Sequence, residues 1–260
     1  MSLRFCIIGA GKLATQLAIN LKKANFVITQ IYSRTSHSAA GLAKKVESSF
    51  ITDIKLIDIS ADVFVIALSD SVIGEVLSKT VFHNKLLIHC SGSLPLSVIK
   101  GYSAKTGVIY PLQTLSKNRF VSFKNVPLFI EANSKETEQE LLKIARKLSE
   151  NVSVLASDKR MILHISAVFA CNFVNYMYTV AADLLQCNGI EFDTLRPLIL
   201  ETAQKVMDMH PIDAQTGPAV RFDKNIIESH LEALTQNDGY RELYMSISKS
   251  IFELHKKQIQ

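Results

Sequence analysis

Ile7-Ile8-Gly9-Ala10-Gly11-Lys12-Leu13-Ala14 sets two glycines where an apolar run gives way to helical spacing. That arrangement suits phosphate chemistry. Gly9 makes the tight turn, Gly11 lets the backbone approach a pyrophosphate, and Ala14 keeps helix and strand close. The anion would sit on the helix N-terminus, where free N–H groups and the dipole favour negative charge. Gly9, Ala10, Gly11, Lys12 and Leu13 are therefore candidate cofactor-binding residues. The competing reading is a glycine turn with no ligand. The GxGxxA match gains weight because strand, turn and helix follow in the required order.

The next strand decides which dinucleotide fits. An NAD site presents an acid about 20 residues past the glycines, to bind the ribose 2′-OH. This strand ends Tyr32-Ser33-Arg34-Thr35, with no acid there. Arg34 can pair with a 2′-phosphate, and the Ser33 and Thr35 hydroxyls can donate to it. The pattern points to NADP, against the alternative that Arg34 is a solvated surface residue.

Ligands of parallel sheets bind outside the carboxyl ends of the strands. Three such ends are readable. Ala67-Leu68-Ser69-Asp70-Ser71 offers the backbone of Leu68 and Ser69 to a dinucleotide, with Asp70 assigned to capping the following helix. His89-Cys90-Ser91-Gly92-Ser93 offers the Ser91 hydroxyl. Adjacent residues of a strand point to opposite faces, so His89 and Cys90 cannot chelate together. A nucleophilic Cys90 lacks an identifiable base. Tyr110-Pro111-Leu112-Gln113 walls the same region, with Tyr110 a candidate substrate contact. No metal site is expected.

Further along, His164, Asn172 and Asn175 form a polar stripe on a helix otherwise apolar. His164 and Asn172 are the candidate catalytic residues, as proton donor or holder of a water, and Asn175 a candidate substrate contact. Protein partners or a second subunit would satisfy the same groups equally well. Thr216-Gly217-Pro218 is a turn between helices. Thr216 and Gly217 can offer a hydroxyl and an N–H to a carboxylate. Arg221 either binds an anion or pairs with Asp223, and His230 reads as a surface histidine.

The elements that must position these residues alternate up to about residue 155. Apolar strands at Phe5–Gly9, Val27–Tyr32, Asp62–Leu68, Leu86–His89, Lys105–Tyr110, Val126–Glu131 and Val152–Ala156 alternate with helical spacing at Lys12–Lys23, Ala39–Val46, Val72–Ser78 and Ser134–Leu148, which predicts βαβ units and a doubly wound Rossmann sheet. Ser134 is placed to cap a helix over 134–148. Beyond Ser157 strand punctuation stops. Asp158–Cys187 reads as one long helix, followed by helices over Asp193–His210, Asn225–Leu234 and Gly239–Lys257. The reading is an NADP-binding domain over 1–155 and an all-α substrate and dimerisation domain over 156–260.

Composition narrows the class. The chain has 260 residues, 48% of them hydrophobic, which excludes bulk disorder. Lys and Arg number 29 against 24 Asp and Glu. The excess is spread along the chain, so it suits a phosphate-bearing ligand and not a nucleic-acid partner. Four cysteines lie far apart, which fits a reducing cytoplasm. The N-terminal apolar run is too short for a signal peptide. Met161 to Ala182 carries no Asp, Glu, Lys or Arg and is long enough for a bilayer, which takes about 20 residues. Its His, Ser, Asn and Thr favour a buried helix of a soluble protein and no membrane partner.

Taken together, GAGKLA, YSRT, ALSDSVI, HCSGS and YPLQTL in the first part, and LHISAVFACNFVNY and TGPAVRFDKNIIESHL in the second, carry a resemblance. The chain resembles Rossmann-type NADP-binding proteins with a C-terminal helical domain of unassigned function. These are relatives of pyrroline-5-carboxylate reductase, 3-hydroxyisobutyrate dehydrogenase and deazaflavin-dependent NADP oxidoreductases. The resemblance implies an NADP-dependent oxidoreductase acting on a small imine, keto or hydroxy-acid-like substrate, with a helical homodimer interface. A non-catalytic NADP-binding or sensing module is the alternative. The chain departs from the pattern in having Tyr110 where a histidine is usual and Arg221-Phe222-Asp223 where Arg-Gly-Asp is usual. It also lacks the Lys-x-x-x-Asn pair of the hydroxyisobutyrate-type dehydrogenases.

Overall fold

The computed structural model describes residues 2–259. They form two compact units, one up to Asn172 and one from Phe173 onward.

The first unit is built on one eight-stranded sheet. Its strands are β1 (Arg4–Ile8), β2 (Val27–Tyr32), β3 (Ser49–Ile51), β4 (Val63–Ile66), β5 (Leu86–His89), β6 (Lys105–Pro111), β7 (Leu128–Ala132) and β8 (Val152–Val154). Their order is β3-β2-β1-β4-β5-β6-β7-β8. The reversal beside β1 makes the sheet doubly wound, and β1 from Phe5, all of β4, and β5 up to Ile88 read as apolar runs because both faces are covered. Helices α1 (Lys12–Lys23), α2 (Ser36–Val46), α3 (Ile73–Leu77) and α4 (Lys135–Leu148) connect the strands. Ser134 caps α4 by accepting from the Thr137 amide at 3.2 Å, as its position in the sequence predicts.

Two features of the sheet depart from the expected pattern. The edge strand β3 is short and largely exposed, too short to leave a hydropathy signal. And β7 runs antiparallel to β6, the one antiparallel pairing in the sheet. A parallel return needs a long crossover, usually helical. No helix forms between Pro111 and Leu128. Instead, two buried residues of α1 hold this segment. Gln16 donates to the carbonyls of Ser116 and Arg119 at 2.6 and 2.9 Å and accepts from the Val121 amide. Asn20 accepts from the Phe123 amide and donates to the Val121 carbonyl.

The long helix is not α-helical throughout. Helix α5 (Ser157–Ala167) gives way to a π turn over Val168–Phe173, and α6 (Val174–Cys187) follows. The expected single α-helix is thus interrupted. A π turn adds a residue to the helical repeat, so the 3.6-residue spacing that placed His164, Asn172 and Asn175 on one stripe does not carry across it. Burial of this helix is not supplied within the single chain. None of the most apolar window of Ser157–Cys187 is buried in the single chain, and this helix is long and apolar enough to cross a membrane by length and composition.

The second unit also contains α7 (Arg196–Asp208), a short turn α8 (Pro218–Arg221), α9 (Lys224–Ala233) and α10 (Asp238–Ile259). Pro197 lies in the first turn of α7, where its missing N–H costs nothing. Neither α6 nor α7 buries a single residue.

Candidate functional site

The glycine turn forms as its sequence requires. Gly9 adopts φ +133°, and a Cβ there would overlap the Ala67 carbonyl oxygen and stand 2.8 Å from its carbon. Only glycine fits. Gly11 is the N-cap of α1, with no side chain capping the helix and no acid in its first turn. A Cβ at Gly11 would meet nothing within 4 Å. The first N–H groups of a helix have no intrahelical partner. Here they open onto space that an anion can fill. Lys12 is exposed and Leu13 half-buried beside it. These residues fit a dinucleotide pyrophosphate.

At the end of β2, Ser33 is half-buried while Arg34 and Thr35 are exposed. Thr35 is the N-cap of α2 but makes no side-chain cap bond, so its hydroxyl is available. The charge of Arg34 is felt at Glu75. That carboxyl is held below its usual range chiefly by a hydrogen bond from Lys79, and to a smaller extent by Arg34. No acid stands where an NAD ribose would need one.

The strand ends assemble more than the motifs foretold. Leu68 and Ser69 follow β4, and Ser69 opens the turn over Asp70–Val72. Asp70 does not cap it. It instead accepts from the Ser91 hydroxyl at 3.1 Å, because the neighbouring strand end brings that donor to it. Ser91 also accepts from the amides of Ser93 and Leu94, at 3.1 and 3.0 Å. Its hydroxyl is thus committed to shaping its own turn. His89 accepts from the Ser91 amide at 3.2 Å and is fully buried. Burial is the main cause of a fall in its pKa to about 4, helped by the nearby Arg160 charge, so His89 is neutral at ordinary pH. Burial likewise pushes the Cys90 thiol up to about 12, which removes it as a nucleophile.

Tyr110 and His164 meet. The tyrosine hydroxyl lies 3.0 Å from His164 Nδ1, with the rings edge to face. Tyr110 lies near the end of β6, just past the level of His89, since His89 stands opposite Val108 in the β5–β6 register. Gly92 closes over the pair. A Cβ there would stand 2.7 Å from His164 Nδ1 and 2.9 Å from the Tyr110 ring. The HCSGS glycine is therefore the space that the dyad occupies.

Arg160, one turn before His164 on α5, carries no recognised motif and proves to hold the region together. It is buried, pairs with Glu131 of β7, and donates to the Leu94 carbonyl at 2.6 Å and to Ser157 Oγ at 3.2 Å. Ser157 in turn donates to Glu131 at 2.7 Å and accepts from the Leu96 amide at 3.0 Å. Ser157, Arg160 and His164 follow helical spacing and share one face of α5. That spacing is the signal that would have found Arg160.

Asn172 is exposed within the π turn. In the second unit Asn175 is exposed, its carbonyl accepting from Thr179 at 3.3 Å. The Thr216 carbonyl accepts from Gln215, and Gly217 takes φ +100°. Arg221 ends α8 and is exposed. The Arg221–Asp223 pair is absent among the described residues. Asp223 instead caps α9, accepting from the Ile226 amide at 3.4 Å. Phe222, where the family pattern has glycine, takes a left-handed φ of 50°.

Comparison with known proteins places this geometry. Residues 4–92 match the family described as NADP oxidoreductase coenzyme F420-dependent, and residues 126–251 match a domain of unknown function, DUF2520. A crystal structure from Bacteroides fragilis, of a provisional NADP oxidoreductase, is 42% identical over 97% of this chain and 98% of its own, with a TM-score of 0.92. The chain belongs to this NADP oxidoreductase family. Fold alone is shared with more distant oxidoreductases. An imine reductase from Myxococcus stipitatus in complex with NADP+ is 13% identical, covering 98% of this chain and 94% of its own, at TM-score 0.66. A pyrroline-5-carboxylate reductase from Streptococcus pyogenes is 15% identical, covering 98% and 99%, also at 0.66. No protein of curated function matches the chain.

Proposed function

We propose that this member of the NADP oxidoreductases is an NADP(H)-dependent reductase that moves hydride to or from a small imine, keto or hydroxy-acid-like compound. The observation that supports it is the Tyr110–His164 pair, an acid–base couple set at the strand ends of the sheet that carries the glycine turn. Hydride is the cofactor's chemistry. The protein supplies binding, orientation and a proton. Gly9 to Leu13 would hold the pyrophosphate, with Ser33, Arg34 and Thr35 on the 2′-phosphate and Leu68, Ser69 and Ser91 along the dinucleotide. On their sequence pattern Asn172 is proposed as a catalytic residue that holds a water, and Asn175, Thr216, Gly217 and Arg221 as substrate contacts. We further propose a division into an NADP-binding domain over 1–155 and a helical domain over 156–260, a cytoplasmic location, and a homodimer built through the helical part.

Purified protein given NADPH and a panel of keto acids, ketones, imines and deazaflavin tests the reading. Substrate-dependent loss of reduced-nicotinamide absorbance is the expected result. Tight NADPH binding with no oxidation across the panel would favour a sensing module instead.

A further inference from the structure

We propose that the Tyr110 hydroxyl is the proton donor of this site and that His164 reloads it, so that the natural substrate is a carbonyl or neutral imine whose heteroatom must gain a proton. The proposal rests on the reductase reading above and goes beyond it in naming the donor and the class of substrate.

The geometry selects Tyr110 over its neighbours. Ser91 spends its hydroxyl on Asp70 and receives two amides. His89 and Cys90 are buried. Arg160 is locked between Glu131, Leu94 and Ser157. Tyr110 is different. Among the described residues its hydroxyl pairs only with His164 Nδ1, and a phenol oxygen can hold that contact while turning its own proton elsewhere. A phenol is also a far better acid than an aliphatic hydroxyl. Burial keeps Tyr110 protonated by raising its pKa, while the nearby guanidinium of Arg160 acts in the opposite sense and favours the anion formed when the proton leaves.

The step balances as follows. The substrate carbon gains hydride from the dihydronicotinamide, which is thereby oxidised. The C=O or C=N π bond breaks, and its electron pair takes the proton from Tyr110 Oη. The phenolate then recovers a proton from His164 Nδ1–H as Nε2 of the half-exposed ring takes one from solvent. Arg160 on α5, paired with Glu131 on β7, is the charged group that acts on Tyr110, and the buried His89 on β5 is neutral. Gly92 completes the arrangement, because any side chain there would displace the dyad.

Here Tyr110 is the catalytic residue and His164 a positioning and relay residue. An N-alkyl iminium ion separates their role from packing, since its nitrogen needs no proton. Tyr110→Phe should lower kcat on small ketones by roughly 10²–10⁴-fold, the usual worth of a general acid. It should leave reduction of N-methyl iminium ions within a few-fold of wild type. His164→Asn should lower kcat on ketones with KM little changed and leave iminium reduction within a few-fold of wild type. In the protein without cofactor, the 15N resonance of His164 Nδ1 should shift in Tyr110→Phe, reporting the lost hydrogen bond apart from turnover. Equal losses on ketone and iminium in a folded Tyr110→Phe variant, or full ketone activity, would overturn the donor role. An unmoved Nδ1 resonance would overturn the coupling. If wild type oxidises NADPH with neither substrate, the reductase reading itself fails and the donor role with it, while the resonance still reports on the pair.

Discussion

Arg160 on α5 and Glu131 on β7 form an ion pair in which the arginine side chain is 1% exposed and the glutamate 19%. The asymmetry decides which half is harder to remove. Without Glu131, a guanidinium is left buried and uncompensated. Without Arg160, the carboxylate still reaches solvent and keeps the Ser157 hydroxyl. Breaking a buried pair from one side costs about 3–5 kcal/mol. Glu131→Gln should approach that range, and Arg160→Met should cost clearly less. Urea midpoints at constant m-value measure both. Equal losses would mean that packing, not charge, holds the pair.

His89 makes stability depend on pH. Its pKa falls from 6.5 to about 4 on folding, chiefly through burial. The unfolded chain therefore binds more protons between those values, and stability rises with pH through that window. The contribution is complete above about 6.5 and lost as pH falls to about 4, worth about 3 kcal/mol at 1.36 kcal/mol per pKa unit. His89→Asn keeps an acceptor for the Ser91 amide but cannot take up a proton. The difference in stability between wild type and His89→Asn should slope across pH 4–6.5 and be flat above it. A difference independent of pH would show that His89 is solvated.

The two glycines of the first turn should fail in different ways. Gly9→Ala meets the Ala67 carbonyl at a positive φ and should unfold or strongly destabilise the protein. Gly11→Val faces open space. It should melt within a few degrees of wild type and lose NADPH, because its side chain fills the pyrophosphate's approach. Thermal unfolding and NADPH fluorescence titration, read together, separate the two outcomes.

Arg34 tests cofactor choice. Arg34→Ala should weaken NADPH by roughly tenfold to a hundredfold, the worth of about 1.5–3 kcal/mol for a charge-assisted contact, and leave NADH nearly unchanged. Parallel titrations with both cofactors measure it. An equal effect on the two would place the 2′-phosphate elsewhere.

Legibility varied with the range of the cause. The glycine turn, the buried parallel strands and the Ser134 cap are local, and their residues announce them. The antiparallel β7 was legible in principle, since 112–127 carries no helix for a parallel return. The π turn over Val168–Phe173 leaves no mark, because its residues hold neither proline nor glycine and keep the apolar character of their surroundings. His164 and Tyr110 were each singled out, yet their meeting depends on the packing of α5 over β6, a long-range fact. Arg160 was missed because one arginine in a first helical turn resembles any solvated charge. Only its spacing from Ser157 and His164 sets it apart.

The helical part predicts its own assembly. Helix α7 leaves Leu198 61% and Met207 84% exposed, and α6 buries nothing. The segment Asp158–Cys187 would be about 45 Å long at 1.5 Å per residue, with an uncharged centre. Monomeric proteins rarely expose contiguous apolar surface beyond a few hundred Å². A membrane would need a span free of the His, Ser and Asn side chains that this helix carries. A second copy answers the surface better, because a two-fold interface lets one apolar face cover its own equivalent. Sedimentation equilibrium at micromolar concentration should therefore give twice the chain mass of 28.9 kDa. Leu198→Glu together with Met207→Glu should shift the species toward monomer, and added detergent should leave the wild-type mass unchanged. A wild-type protein that sediments as a single chain would mean that these faces are bare in solution, and a mass that collapses only in detergent would point to a lipid surface instead.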